Sequence, residues 1–192
     1  MKRHFVGLLV LASVGLVAAT NAEPQSAGPQ YTAEGQLKFP EQYREWIFLS
    51  AGIDMSYRDM GAMVGHSMFD NVFAEPAAYR EFVRTGTWPD RTMLMLEVRG
   101  ATEKGSINSH GKFQTGDVMG LEVHIKDTKR FPGGWAFFGF KGTGPAQQIP
   151  TSADCYSCHQ QHAAVDTTFV QFYPTLLGIA TQKGTLSPGF KP

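Results

Sequence analysis

Three stretches decide the architecture: Thr92-Met93-Leu94-Met95-Leu96-Glu97-Val98, Val118-Met119-Gly120-Leu121-Glu122-Val123-His124-Ile125 and Trp135-Ala136-Phe137-Phe138-Gly139-Phe140. Each is a short, mainly apolar run set between turn residues, the pattern of a β-strand. The connector from Ala101 to Gly116 is polar, holds Gly105, Gly111 and Gly116, and suits a hairpin-type loop. Upstream, Pro76 to Arg84 reads as a helix, with proline near its first turn and Gly86 just beyond its end. Ser67 to Phe73 reads as a further strand. Pro40 to Trp46 reads as a short helix leading into Ile47-Phe48-Leu49, and residues 50–66 read as irregular. Downstream, Asp154 and Asp166 are each expected to cap a helix. In the second of these, Phe169, Phe172, Tyr173, Leu176 and Leu177 would line an apolar face, and Pro174 should kink or break it. The sum is an α+β fold, a β-rich antiparallel sheet with flanking helices, over 38–180. Residues 23–37 and 181–192 are expected to be a loose N-terminal segment and a flexible tail.

Composition narrows the class. The chain has 192 residues, 17 basic and 17 acidic side chains and 42% hydrophobic residues. One domain with an ordinary core is expected, and a disordered chain is excluded. No basic excess is present to neutralise phosphates, so a nucleic-acid partner is not expected. Two cysteines cannot build a disulfide-rich scaffold.

The first residues read as an address. Lys2 and Arg3 precede a run of roughly 15 apolar residues from Phe5 to Ala19, short of the ~20 that cross a bilayer comfortably. Small residues follow, ending in Thr20-Asn21-Ala22. This is the order of a secretory signal peptide over residues 1–22, which predicts a periplasmic protein with no membrane association after cleavage.

The chemistry lies in Cys155-Tyr156-Ser157-Cys158-His159, which reads C-x-x-C-H, the attachment signature of haem c. Two thiols two residues apart at the start of a helix reach the two vinyl groups of one haem and form two thioethers. The next residue, His159, then supplies a nitrogen to the iron. A thioredoxin-like reading would want a βαβ context, and zinc would want further close ligands than His162. For the sixth position the sequence offers His66, His110, His124, His162, Met55, Met60, Met63, Met68, Met93, Met95 and Met119. A methionine there would make an electron carrier; an empty position would bind small ligands.

The stretch from about residue 38 to 178 resembles the cytochrome P460 family, which includes the cytochromes c′-β. The matching segments are Tyr43-Arg44-Glu45-Trp46, Pro76 with Tyr79, Thr85-Gly86, Gly120-Leu121-Glu122, Lys126-Asp127, Arg130-Phe131, Trp135-Ala136-Phe137, the haem motif and Phe172-Tyr173-Pro174. The resemblance implies a β-rich fold, a homodimer packed through its sheet, and a five-coordinate haem c with an open distal face. Members that oxidise hydroxylamine use a lysine cross-linked to haem; the matching position here is Leu96, which has no nucleophilic nitrogen. Cytochromes c′-β lack the cross-link and bind nitric oxide and carbon monoxide, and Leu96 fits that branch. Glu122 matches the distal glutamate that takes protons from substrate. A carboxylate buried there would have a raised pKa and could act as a general acid or base.

Leu94 shares a strand face with Leu96. The two leucines, with one of Phe137, Phe138 or Phe140, are expected to wall the distal pocket. The functional expectation is a mono-haem cytochrome that binds nitric oxide or a similar small gaseous or nitrogenous ligand. Two alternatives stay open: an oxidoreductase acting on hydroxylamine or peroxide with Glu122 as the proton acceptor, and an electron carrier with a Met or His sixth ligand. The sequence names no redox partner.

Overall fold

The computed structural model describes residues 28–55 and 67–190. The signal-peptide segment, residues 23–27, Met60, Met63 and His66 lie outside the described residues. Five strands form one sheet in the order of the chain: β1 (Ile47–Ile53), β2 (Met68–Ala74), β3 (Met93–Thr102), β4 (Phe113–Lys126) and β5 (Trp135–Phe140). Every neighbouring pair is antiparallel. Helix α1 (Pro76–Thr85) links β2 to β3; α2 (Asp154–His162) and α3 (Pro174–Lys183) follow the sheet. This is the expected α+β class.

Both faces of the sheet are covered where the first half of β3, the last part of β4 and β5 run side by side, which explains why these stretches read as nearly continuous apolar runs. On one face Leu49, Ala74, Leu94 and Trp135 pack with Ala78 and Phe82 of α1 and Leu176 and Ala180 of α3. On the other, Met93, Met95, Val123, Ile125, Ala136, Phe138 and Phe140 pack with Leu37, Tyr43, Phe131 and Ala146. The second face also holds a charge. Glu97 is 1% exposed, accepts hydrogen bonds from Tyr43 Oη at 2.6 Å and Arg99 Nε at 2.6 Å, and pairs with Arg44. Burial would raise this carboxyl, but the Arg99 and Tyr43 hydrogen bonds and the two guanidinium charges hold it below its usual value. Burial, then the hydrogen bond to Glu97 and its charge, push the Tyr43 phenol up to about 12 against the lowering charges of Arg44 and Arg99.

The helix ends follow local rules. The Glu75 side chain caps α1 by accepting the Ala78 N–H at 3.0 Å, and Gly86 closes it in the left-handed region at φ 79°.

Several expectations are corrected. Strand β1 continues to Ile53, and β3 and β4 extend into the connector, so the loop between them shrinks to 103–112. Asp154 is the first residue of α2, not its cap; Ala153 holds that place with no side-chain bond. Asp166 caps no helix. It sits at φ 52° in a turn, its carboxylate bound to Lys126. A short 3-10 turn (Val170–Phe172) follows, and Pro174 does not break a helix but starts α3. At a first helical turn the missing N–H of proline removes no hydrogen bond.

The described part of the N-terminal segment is not loose. Leu37 is fully buried and bridges Ala146 and Tyr31. The tail is likewise tied back: Ser187 N–H donates to Ala164 O at 2.7 Å, Thr185 Oγ1 donates to Gly86 O at 2.6 Å, and Leu186 and Phe190 pack on the core. Apolar side chains in both ends draw them inward.

Candidate functional site

Helix α2 is held unusually. It buries none of its residues, whereas α1 buries Ala78 and Phe82 and α3 buries Leu176 and Ala180. A helix without an apolar stripe has little to hold it on a core. Cys155, Cys158 and His159 stand three and four residues apart, so they share one face of α2. The two cysteines are not bonded to each other, and both are half-buried. Burial pushes the Cys155 thiol up, and the Glu122 charge adds to this.

The anchor is Tyr156, between the cysteines. Its hydroxyl accepts the Phe137 N–H at 3.2 Å and a Gln148 amide N–H at 3.2 Å, and donates to Ile149 O at 3.0 Å. Its ring meets Phe137 edge-on, centroids 4.9 Å apart. The outer edge of β5 is thereby joined to α2. At the other end of the helix the Gln171 amide donates to His162 O at 2.8 Å and accepts the Ala164 N–H at 3.0 Å.

His159 is oriented by main chain. Its Nδ1 lies 2.7 Å from the carbonyl oxygen of Thr167, which has no proton to give, so Nδ1 is the donor. The neutral ring then presents Nε2 as a lone-pair nitrogen, and no described residue bonds to it. Burial holds the imidazole below its ordinary pKa, against the opposing effect of the Thr167 bond. Phe169 lies along one side of the ring at 4.1 Å and Phe137 meets it at 4.7 Å. This donor-to-carbonyl arrangement is the usual means of fixing a metal-binding histidine.

His159 opens onto a cleft of about 180 Å³ lined mainly by the first face of the sheet, with Val72, Leu94, Leu96, Glu122, His124 and Phe137 among its walls. Leu96 and Glu122 are direct cross-strand partners, as are Leu94 and His124. The cleft therefore combines an apolar wall with a carboxylate. Burial raises the Glu122 carboxyl. Asp70, on β2, lines the same cleft and is also raised, first by burial and then by the Glu122 and Asp54 charges.

Leu94, Leu96, Glu122 and His159 thus meet in one cleft. Of the three phenylalanines, Phe137 lines it, while Phe138 and Phe140 point into the opposite core. Among the sixth-ligand candidates, Met55 and His124 border the cleft, and Met95 lies at its wall with its side chain packed in the opposite core. His124 is engaged beside His159, not across from it. Its ring stacks on Phe137 at 3.9 Å, its Nε2 lies 3.3 Å from Thr167 Oγ1, and it meets the His159 ring at 5.1 Å. Burial, then the His159 charge, holds its pKa well below normal. Sequence reasoning missed Tyr156, Thr167 and Asp70. Only Asp70, a lone acid within an apolar strand, carried a visible signal.

These residues fit haem c: two unpaired thiols one turn apart, a neutral imidazole with Nε2 available, and an apolar cleft in front of it. Among the described residues no three His, Cys, Asp or Glu side chains gather as a metal-ion site. When bound, haem supplies an iron that takes one nitrogen and can take a small molecule. No curated protein matches the chain. The family model described as Cytochrome P460 matches residues 40–170. That span opens just ahead of β1 and runs past the carbonyl that orients His159, so it contains the whole sheet and the cleft lining apart from Phe172 and Tyr173. A match over most of the chain settles the relationship: the protein belongs to the cytochrome P460 family and is a mono-haem c-type cytochrome.

Proposed function

We propose that the protein is exported to the periplasm, binds its haem through thioethers to Cys155 and Cys158, and uses the cleft to hold nitric oxide or a similar small neutral ligand. The observation that carries this reading is the His159 imidazole, fixed by Thr167 with Nε2 free in a cleft walled by Leu94, Leu96 and Val72. Those side chains exclude water and offer no lone pair to iron. They favour neutral diatomics over anions, which the Glu122 and Asp70 carboxylates would also repel.

A second reading rests on Glu122 itself. Its raised carboxyl suits it to take a proton from a bound N–H or O–H group, as oxidation of hydroxylamine requires. Leu96 counts against that chemistry, because the residue facing Glu122 cannot supply a cross-linking nitrogen. Exposed Phe48 and Ile53 on β1, with Phe113, Val118 and Met119 on β4, support a homodimer formed through the sheet.

The test is the ferrous absorption spectrum of haem-loaded protein before and after carbon monoxide. A high-spin spectrum that shifts with carbon monoxide supports the open site. A strongly red-shifted Soret band would move the assignment to a modified haem and hydroxylamine. A low-spin spectrum indifferent to carbon monoxide would make the protein an electron carrier.

A further inference from the structure

The carbonyl that orients His159 is itself held by a device remote in sequence. Thr167 sits in a tight turn, residues 165–168, closed by paired main-chain bonds between Val165 and Thr168, the shorter at 2.9 Å. Thr168 Oγ1 donates to Val165 O at 2.8 Å, closing the turn a second time. The same oxygen accepts the indole N–H of Trp88 at 2.8 Å, across 80 residues of chain. Thr168 is 1% exposed and Trp88 2%. Water therefore cannot replace the bond, and accepting from the indole strengthens the hydroxyl's own donation. Lys126 ties the other side of the turn, donating to Asp166 Oδ2 at 2.9 Å and to Trp88 O at 2.8 Å. Asp166 adopts φ 52°, a left-handed conformation that aspartate enters more readily than most non-glycine residues, and its bond to Lys126 holds it there.

We propose that Trp88, acting through Thr168, is a positioning residue for His159: it fixes the turn that presents the Thr167 carbonyl to His159 Nδ1, and so would set how strongly His159 donates to a bound haem iron. The inference rests on the reading of His159 as the iron ligand. A histidine whose second nitrogen donates to a fixed acceptor is a stronger donor. Releasing the turn lengthens that bond, weakens donation and disfavours the oxidised iron.

The experiment compares haem-loaded parent, Trp88→Phe, Thr168→Val and Thr168→Ser by resonance Raman spectroscopy and redox titration. Trp88→Phe removes the donor but also opens space beside Phe82, whose ring lies 4.4 Å from Trp88. Thr168→Val keeps the packing but removes both the acceptor for Trp88 and the hydroxyl's own bond to Val165 O, and Thr168→Ser restores both. The expected result is a lower iron–histidine stretching frequency in Trp88→Phe and Thr168→Val. The reduced-to-oxidised ratio at fixed potential should rise by roughly fivefold, the equivalent of one hydrogen bond. Thr168→Ser should match the parent. A shift in Trp88→Phe without one in Thr168→Val would mean a packing effect and overturn the proposal, as would unchanged spectra in both. Absence of an iron–histidine band in the reduced parent would overturn the open five-coordinate reading on which the inference rests.

Discussion

Replacing Tyr156 by phenylalanine tests whether α2, which buries nothing of its own, is held by one hydroxyl. The ring stays against Phe137 at 4.9 Å, so the apolar contact is kept. Three hydrogen bonds go. The exposed Gln148 amide finds water at little cost, and Ile149 O is partly reached by water. The Phe137 N–H is different. Phe137 is 5% exposed, and its N–H points off the outer edge of β5, where Ile149 N–H already binds its carbonyl at 2.8 Å. Leaving a buried N–H without an acceptor costs about 1–3 kcal/mol. The total should be about 2 kcal/mol, or roughly 4–8 °C in melting temperature for a chain of this size. Haem-free protein is the right material, because covalent attachment would hold α2 by other means. Thermal unfolding followed by circular dichroism is the assay. A loss under 0.5 °C would refute the claim that Tyr156 anchors the helix.

Other consequences follow from charge and backbone. The Glu122 carboxyl is raised on folding, so its favourable contribution is present below its unfolded value and is lost as pH rises through the folded one. Glu122→Gln should therefore flatten the loss of stability above about pH 4.5, the usual value for the group, in denaturant titrations at several pH values. Some slope will persist from Asp70, which is raised in the same sense. Glu97 behaves oppositely. Its carboxyl is lowered, so its contribution is present at neutral pH and is lost as pH falls through the folded value. Glu97→Gln should cost about 3 kcal/mol at pH 7, the low end for a broken buried ion pair because Arg44 is half-exposed, and much less in acid. Gly86→Ala should lower stability by about 2 kcal/mol in the same titrations. The position needs φ 79°, and a new Cβ would lie 2.7 Å from Lys183 Cβ and 2.8 Å from Thr185 Oγ1.

What the sequence made legible follows from what each residue does. The first half of β3, the last part of β4 and β5 declared themselves because both their faces are buried, which leaves unbroken apolar runs. That same burial hid the direction of Phe137, since alternation separates it from Phe138 and Phe140 without saying which side holds the cleft. Leu94, Leu96 and Glu122 share one cleft because alternation along β3 and its pairing with β4 leave them on one face; the family resemblance, not the strand pattern, pointed to Glu122. His124 was misleading: a histidine is a plausible ligand by type, but only the fold shows it stacked on Phe137 beside His159. Thr167 was invisible because it acts through its carbonyl, which every residue possesses. Asp166 and Pro174 were misread because a cap and a turn use the same residues, and proline both starts and breaks helices.

The measurement that bears most directly on the account is the mass of the mature haem-loaded protein, with peptide mapping of the haem. The account predicts one haem per chain, attached at Cys155 and Cys158 and at no other residue, with Leu96 in an unmodified peptide. A haem-free chain from a host that assembles c-type haem, or a third attachment to the haem, would contradict it.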